Sequence, residues 1–377
     1  MFRLLISLIF VFCSWTLANA QMVFRQLDTR MGLPDNEIKG QVWLPDGRLC
    51  IRTSSSLSLF DGCTFRSVPP MEDECYYTDY VASISTLYMD AKQCVWIKEP
   101  GRFLVFDVSK EAYVKDLKSL FSSMGIKEKV VDFFIDEAKE YWFVTASGKV
   151  LSLEAPANGK DLPKVKVQKV RSKGLRDVCR RGSQHWFVYS NGLVAGWDVE
   201  MKKMFSCSFV WKGEVPVRDF IQFAQNKQRF WVMWNHGVAT YHDAIHKWQN
   251  RYINTADILV SLCVASDDHT YVSLRHVGFL TLDPKGNSYL QTELKNTKGE
   301  TVIDDIQSIT CWHNNMMLGL AGKGILFYHP NMRQFPFLSL QGMGLDVNGY
   351  RMNDMMDGAG LLTRSDAVYR MDMQRGT

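Results

Sequence analysis

The sequence lacks the features that most quickly assign a function. Its formal charge is only +4, from 44 basic and 40 acidic residues in 377, which argues against a nucleic-acid or anionic-membrane surface as the main partner. It contains no Cys-x-x-Cys pair, the spacing typical of zinc and redox sites. It also lacks a nucleophile elbow, a His-Glu-x-x-His metal motif, a phosphate-binding glycine loop and a calcium loop. We therefore expect a protein that is not an enzyme and that uses no metal or cofactor.

Long apolar runs are also scarce, and the one present lies at the N-terminus. Arg3 precedes the apolar run 4–12, and Ala18-Asn19-Ala20 follows it with small residues at the first and third positions. This order is typical of a secretory signal peptide. The alternative, an uncleaved anchor, is disfavoured because the run is shorter than the roughly 20 apolar residues of a membrane span. We expect a signal peptide at 1–20, cleavage before Gln21, and a periplasmic chain without a membrane span.

Cysteines are too dispersed to form an evident disulfide framework. Nine are present, and Cys13 lies in the predicted signal peptide, which leaves an even eight in an oxidising compartment. Only Cys63 and Cys75 occupy a turn-rich segment and form a candidate pair. The others considered lie in apolar strand-like stretches, where we expect free, buried thiols: Cys50, Cys94, Cys179, Cys263 and Cys311.

Apolar residues are abundant, and they recur with a fixed period. Hydrophobic residues make up 46% of the chain and charged residues 22%, which excludes a disordered protein. A unit of about 44 residues repeats eight times, with an apolar strand, a turn, an aromatic-centred strand and a further turn. The central positions of the units are Cys50, Trp96, Trp142, Trp186, Trp231, Tyr271, Met317 and Gly360. The repeat, not separate domains, organises the chain.

An aspartate closes most of these units. It stands eleven or twelve residues after the central position, at Asp61, Asp107, Asp198, Asp243, Asp283 and Asp372. We interpret these aspartates as turn formers whose side chains bond their own backbone, in preference to catalytic carboxylates.

The repeat predicts an all-β fold, a β-propeller of seven or eight four-stranded blades over residues 21–377. Strands of about five or six residues, four to a unit, leave no room for helices. Such sheets bury their faces by packing around an axis, and the aromatic anchors then become contacts between blades. Eight units fit 357 mature residues, whereas 335–345 resembles 24–33 in sequence. The alternative is therefore a seven-bladed ring, with a second propeller beginning near residue 335.

Several segments carry a family resemblance. They are Phe24, Gly32-Leu33-Pro34-Asp35-Asn36-Glu37-Ile38, the Asp46-Gly47-Arg48-Leu49 turn, Thr53, and Leu59-Phe60-Asp61-Gly62. This pattern resembles the two-component regulator propeller repeat, found in the periplasmic sensor region of Bacteroides-type hybrid two-component histidine kinases. The resemblance covers about residues 22–373. The first unit matches most specifically, and the later units match less closely. Cys50, Met317 and Gly360 stand where the family usually has tryptophan.

The resemblance implies a fold and an activity. In the family, two seven-bladed propellers precede an immunoglobulin-like domain, a membrane helix and a kinase, and the sensor recognises a glycan fragment. The present sequence shows no kinase or DNA-binding pattern and resembles the N-terminal propeller only. The resemblance therefore implies carbohydrate sensing, with transmembrane signalling by this chain left in doubt.

The loops after the second strand of each unit are the expected ligand-binding surface, because recognition concentrates in loops on a rigid scaffold. The units differ most there, and an aromatic platform of Tyr189 and Trp234 would suit the apolar face of a sugar. The alternative is that Trp234 packs against a neighbour and that the charged residues are solvated. The candidate ligand-binding residues are Arg52, Glu99, Tyr189, Trp234, Asn235, His236 and Arg275, with His276 beside them.

Three functions remain open at this point. The first is a non-catalytic sensing module with an oligosaccharide or polysaccharide fragment as ligand. The second is a scaffold that engages a protein partner, such as a membrane sensor, or a second copy in a homodimer. The third, a glycan lyase or hydrolase, is least favoured because no acid/base pair stands out.

Overall fold

The computed structural model describes residues 22–79, 85–154, 164–198, 200–209, 221–226, 229–245, 247–253, 257–285, 287–313, 315–329, 351–353, 359–364 and 366–372. Nearly all regular structure there is strand. Two 3-10 turns cover Thr29–Met31 and Glu72–Glu74, and one α-helix, α1, covers Leu117–Ser123. In these ranges no helix has the length and apolar character that a bilayer crossing needs. The all-β prediction is confirmed, and the predicted signal peptide lies outside the described residues.

The strands follow one another through short turns. In chain order they are β1 (Val23–Leu27), β2 (Ile38–Trp43), β3 (Leu49–Thr53), β4 (Leu57–Phe60), β5 (Phe65–Val68), β6 (Tyr76–Tyr77), β7 (Thr86–Met89), β8 (Cys94–Glu99), β9 (Arg102–Asp107), β10 (Ala112–Tyr113), β11 (Val130–Ile135), β12 (Tyr141–Thr145), β13 (Val150–Glu154), β14 (Lys164–Gln168), β15 (Leu175–Arg181), β16 (Gln184–Tyr189), β17 (Leu193–Asp198), β18 (Lys203–Ser208), β19 (Ile221–Gln225), β20 (Arg229–Trp234), β21 (Gly237–His242), β22 (Lys247–Ile253), β23 (Leu259–Val264), β24 (Thr270–Leu274), β25 (Gly278–Leu282), β26 (Ser288–Gln291), β27 (Leu294–Asn296), β28 (Thr301–Val302), β29 (Ile306–Trp312), β30 (Asn315–Leu320), β31 (Ile325–Tyr328), β32 (Arg351–Asn353), β33 (Ala359–Arg364) and β34 (Ala367–Asp372).

These strands form blades of consecutive antiparallel strands. Six blades each contain a run of four strands: β2–β5, β7–β10, β11–β14, β15–β18, β19–β22 and β23–β26. A seventh contains β29, β30 and β31. In the third blade Trp142 pairs with Phe134 on one side and with Ser152 on the other, as expected for the second strand of a meander.

The blades close into a ring of seven. The innermost strands β2, β7, β11, β15, β19, β23 and β29 contact one another in that order, and β29 contacts β2 again. At this closure the Gln41 side-chain amide donates a hydrogen bond to the Met317 carbonyl at 2.9 Å. The indoles of Trp43 and Trp312 stack there with ring centroids 5.0 Å apart. Of the two predicted blade numbers, seven is correct.

The predicted anchors occupy the second strand of each blade and pack between blades. Trp96 contacts Phe133 and Phe143 of the next blade, and Trp186 contacts Phe230 in the same way. Burial of these rings on both sides of each sheet removes the apolar surface that a lone four-stranded sheet would expose. The prediction that the tryptophan anchors serve blade packing is confirmed.

Four of the six closing aspartates, namely Asp61, Asp107, Asp198 and Asp283, form turns as predicted, whereas the Asp243 carboxylate pairs with Arg181. Asp61 accepts hydrogen bonds from the backbone N–H groups of Cys63 and Thr64, at 2.8 and 2.7 Å. Asp107 and Asp198 accept backbone N–H groups in equivalent turns. Their carboxylates are therefore engaged in holding the chain between the third and fourth strands.

The chain divides into two compact units. The ring lies in the unit that contains Leu27–Thr292 and Asp304–Phe327. The other unit contains Met1–Gln26, Glu293–Ile303 and Tyr328–Thr377, and in it Val23 and Phe24 pair in parallel with Lys295 and Asn296. The eighth repeat forms the antiparallel sheet β32-β33-β34 within that second unit. Whether it begins a second propeller stays a prediction.

The disulfide prediction requires correction. Cys263 on β23 and Cys311 on β29 are joined, which links the innermost strands of the sixth and seventh blades. Cys63 and Cys75 are both free, and Cys63 is exposed. The expectation that Cys263 and Cys311 are free thiols was wrong because the pairing depends on two strands that are adjacent in the ring but 48 residues apart in the chain. Cys50 and Cys179 are free and buried, as predicted.

Candidate functional site

Arg52 and Glu99, two of the predicted ligand residues, pair with each other. The guanidinium donates to both carboxylate oxygens at 3.0 and 3.2 Å, and Arg102 also pairs with Glu99. Arg52 is 1% and Glu99 6% exposed. Burial alone would raise the pKa of the Glu99 carboxyl, but the hydrogen bonds and charges of Arg52 and Arg102 outweigh burial, and the pKa is lowered. The pair links β3 of the first blade to β8 of the second, and contact with a ligand stays a prediction.

Tyr189 and Trp234 lie in the packing between blades. Tyr189 is 5% and Trp234 1% exposed. They belong to different apolar clusters, and the Trp234 ring packs against Phe209 at 5.5 Å. The structure does not bring the two rings together as an exposed platform, and it agrees with the alternative in which Trp234 packs against a neighbour. Contact of either ring with a ligand is untested.

Asn235, His236 and Arg275 are half-buried at turns after the second strands. The Asn235 carbonyl accepts the Leu259 N–H at 2.9 Å, and the Arg275 N–H donates to the Ile258 carbonyl at 2.9 Å. The backbones of these turns therefore connect strands of the ring. Their part in binding stays a prediction.

His276, next to Arg275, is held by a buried carboxylate. Its Nδ1 lies 3.0 Å from Asp257 Oδ1, and its backbone N–H donates to Asp257 Oδ2 at 3.0 Å. Nε2 lies 3.9 Å from Asp305 Oδ2. Burial would raise the pKa of Asp257, but the hydrogen bonds from His276 outweigh it and lower that pKa. The sequence does not reveal this pair, because Asp257 and Asp305 come from loops that precede two different first strands.

A cavity of about 520 Å³ opens at the centre of the ring. It is lined by the innermost strands and by the turns that follow them, and none of the seven predicted ligand residues is among its lining residues. The repeat nevertheless marks this cavity in the sequence. In each blade, one residue of the first strand pairs with the position two residues after the anchor: Gly40, Thr86, Asp132, Asp177, Gln222, Ser261 and Ser308. All of these except Asp132 line the cavity.

These positions are small or polar in every blade, unlike the apolar surfaces between blades. In five of the seven strands the pairing register shifts immediately before the position. Such a bulge turns a side chain away from regular alternation. Alignment of the anchors with the preceding strands is enough to predict polar residues at the ring centre. The bulges themselves cannot be predicted from a strict alternation with a period of two.

Aromatic rings and unpaired polar atoms share the cavity wall. The stacked Trp43 and Trp312 both line it, and Trp43 Nε1 has no hydrogen-bond partner among the described residues. Gln41 and Ser308 are each 7% exposed. The free atoms Gln41 Oε1 and Ser308 Oγ likewise lack partners within the described ranges. A buried polar atom without a partner costs about 1–3 kcal/mol, so a hydrogen-bonding occupant would be stabilised here.

The cavity carries more negative than positive charge. Asp177, Asp136 and Glu137 line it, against one lysine, Lys139. Burial raises the pKa of Asp177 to about 7, and Lys98 only partly opposes this rise. Lys98 is itself engaged by Asp132 at 2.7 Å and by the Phe133 carbonyl at 2.8 Å. The Asp177 carboxyl therefore lines the cavity with only partial charge compensation from the protein.

One cluster in the described ranges has the composition of a metal site, namely Asp136, Glu140 and His185. Arg180 Nη1 lies 2.9 Å from His185 Nε2, and Trp142 Nε1 donates to Asp136 at 3.2 Å. Burial, and then the charge of Arg180, lower the pKa of His185 to about 4. Because the guanidinium stands where a cation would approach, the donors are better explained as a hydrogen-bonded link between blades.

Comparison with known proteins gives structural neighbours only. No family model and no curated protein matches the chain. Two extracellular domains described as belonging to hybrid two-component systems of B. thetaiotaomicron match at 15% and 11% identity with TM-scores of 0.56 and 0.58, each over 93% of this chain and 48% and 45% of theirs. Virginiamycin B lyase from Staphylococcus aureus matches at 9% identity and a TM-score of 0.56, over 82% of this chain and 99% of the lyase.

These likenesses show the propeller fold, because all three identities are below the level at which activity can be transferred. The chain spans about half the length of the two-component domains. Neighbours with one fold thus include sensor domains and a lyase.

Proposed function

We propose that this protein is an exported, non-catalytic propeller that binds a carbohydrate fragment in the cavity at the centre of its ring. The observation that carries the proposal is the wall of that cavity, in which stacked indoles stand beside buried polar atoms that lack partners. Indole faces pack against the apolar face of a sugar, and free oxygen and nitrogen atoms pair with its hydroxyl groups.

A sensing role fits the fold of the neighbours and the repeat resemblance. Extracellular domains of hybrid two-component systems share the ring architecture. The predicted signal peptide would place the chain in the periplasm, where glycan fragments arrive. In this proposal a protein partner, either a membrane sensor or a second copy of the chain, receives the signal.

The experiment is a glycan-array screen followed by thermal unfolding with the glycans that bind. A ligand specific for the native state raises the melting temperature. Trp312→Ala should weaken binding about tenfold, equivalent to about 1.4 kcal/mol, because the sugar loses an indole face on which its apolar face packs. Tyr289→Ala, at an exposed ring on β26 away from the cavity, is the matched control and should bind as the wild type does. Absence of binding to every glycan, with capture of a defined protein partner, would overturn the proposal.

A second candidate function rests on the Asp257–His276 pair. An imidazole oriented through Nδ1 and exposed at Nε2 can take a proton from a substrate, and a lyase shares the fold. In that case a glycan incubated with the protein is cleaved, and His276→Ala abolishes product formation. Intact glycan after incubation at saturating protein removes this candidate.

A further inference from the structure

The cavity wall has a charge pattern that selects among carbohydrates. Asp177 and Glu137 line it, and neither forms an ion pair with a lysine, arginine or histidine among the described residues. Asp177 Oδ1 accepts only the Val178 N–H at 2.9 Å and a long contact from the Tyr88 hydroxyl at 3.5 Å. The wall therefore offers carboxylate oxygens with free acceptor capacity.

The nearby cations are already engaged. Lys98 is bound by Asp132 and the Phe133 carbonyl, and its Nζ lies 4.1 Å from the centre of the Phe134 ring. Lys139, exposed at the rim, donates to the Met89 carbonyl at 2.9 Å. Because a buried carboxylate is stabilised by a nearby positive charge, a cationic occupant would supply what the protein does not.

The donor arrangement disfavours a bare metal ion in this role. Among the described residues, only Asp136, Glu140 and His185 bring three ligand atoms close together, and Asp177 is not one of them. An ammonium group has three N–H donors and needs acceptors spread around it, not a tight coordination shell. Gln41 Oε1, buried at the ring closure and without a partner among the described residues, is a further acceptor on the wall of the same cavity.

We propose that the ligand of the central cavity is an oligosaccharide that carries primary amines, with an ammonium group at Asp177 and sugar rings against Trp43 and Trp312. This inference rests on the proposed carbohydrate-binding function and narrows its ligand class. Hydroxyl groups engage Gln41 and Ser308, and Glu137 attracts the cation at the entrance.

The test compares two probes that differ in one group on each sugar and therefore in charge. The β-1,4-linked glucosamine trimer and cellotriose have the same backbone, with an ammonium group in place of one hydroxyl group on each sugar. Isothermal titration near neutral pH should give wild-type protein an affinity for the glucosamine trimer about tenfold above that for cellotriose, equivalent to one ion pair of about 1.4 kcal/mol. Asp177→Asn should abolish that ratio, and Glu137→Gln, at an exposed position, should reduce it.

Asp79→Asn is the matched control, because it makes the same chemical change at a side chain that is 95% exposed. It should keep the wild-type ratio. Equal affinities for the two trimers, or a ratio unchanged by both Asp177→Asn and Glu137→Gln, would overturn the inference. If neither trimer binds while neutral glycans on the array do, the inference fails and the proposed function stands. If no glycan binds at all, both fail.

Discussion

At the residue scale, the Arg52–Glu99 pair shows how a candidate ligand contact becomes an internal one. The sequence places both residues at the ends of second strands, where the loops of the expected ligand-binding surface begin. It does not show that neighbouring blades bring the two ends within 3.0 Å of each other. Tyr189 and Trp234 illustrate the same limit. The repeat predicts on which strand a residue lies and how far along that strand. It does not predict which residue of the neighbouring blade the side chain contacts.

Removing Arg52 should destabilise the fold. Arg52→Ala leaves the buried Glu99 carboxylate with Arg102 alone, and loss of one partner of a buried pair costs about 3 kcal/mol. Chemical denaturation at neutral pH measures the change. Because the pKa of Glu99 is lowered in the folded state, the pair stabilises the protein above the unfolded pKa, and the difference should shrink as the pH falls through the folded pKa.

Arg48→Ala is the control, since Arg48 lies in a turn near the surface and pairs with Asp46 and Glu111. We expect a loss below about 1 kcal/mol. Wild-type stability of Arg52→Ala combined with loss of glycan binding would instead assign Arg52 to the ligand.

The raised pKa of Asp177 predicts a pH dependence of stability that is opposite in sign to that of Glu99. Its folded pKa of about 7 lies above the unfolded value of 3.8, because burial and then the charges of Glu137 and Asp132 outweigh Lys98. Folding therefore favours the protonated form, and this carboxyl lowers stability as the pH rises from about 4 to about 7. Asp177→Asn removes the effect and should stabilise the protein above pH 8 by at most about 4 kcal/mol, with little gain below about pH 4.

Thermal unfolding across this pH range measures the difference between Asp177→Asn and wild type. The Asp177 carboxyl also accepts hydrogen bonds from the Tyr88 hydroxyl and the Val178 N–H. Asp79→Asn should track the wild type at every pH. If the melting temperatures of Asp177→Asn and wild type change with pH in parallel, the pKa of Asp177 is not raised in the folded state and the prediction is wrong.

At the element scale, the second strand of each blade is predicted well and the first strand poorly. Central positions such as Trp96 and Trp142 repeat at a constant spacing because each packs in the same place between two sheets. The first strands carry bulges at Gly40, Asp177 and Ser308, so their alternation breaks where the cavity wall begins. A strict period of two in the sequence therefore does not mark the cavity wall.

The disulfide gives an element-scale prediction. Cys263 and Cys311 tie β23 to β29 across 48 residues, and a cross-link of that length restricts the unfolded chain by about 4 kcal/mol. Replacement of both by serine should lower the free energy of unfolding accordingly, measured by chemical denaturation. Cys63→Ser, at an exposed free thiol, should have no effect. Equal stability of the double variant and the wild type would show that the bond does not constrain the unfolded state.

At the scale of the whole molecule, the repeat predicts a propeller, and the structure decides the blade number. Seven and eight blades were both open because the eighth unit has the same strand order as the others. Ring closure depends on which first strand meets β2, and Gln41 bonds Met317 of the seventh repeat. This contact spans 276 residues and leaves no local mark in the sequence.

The central claim is that ligand binds at the ring centre and not on the face of the turns after the second strands. Hydrogen–deuterium exchange with and without a glycan identified on the array tests it most directly. We predict that the glycan slows exchange at the ends of β2 and β29, around Trp43 and Trp312, and leaves the turns 234–237 and 274–278 unchanged. Slower exchange at those turns, with no change at Trp43 and Trp312, would contradict the account.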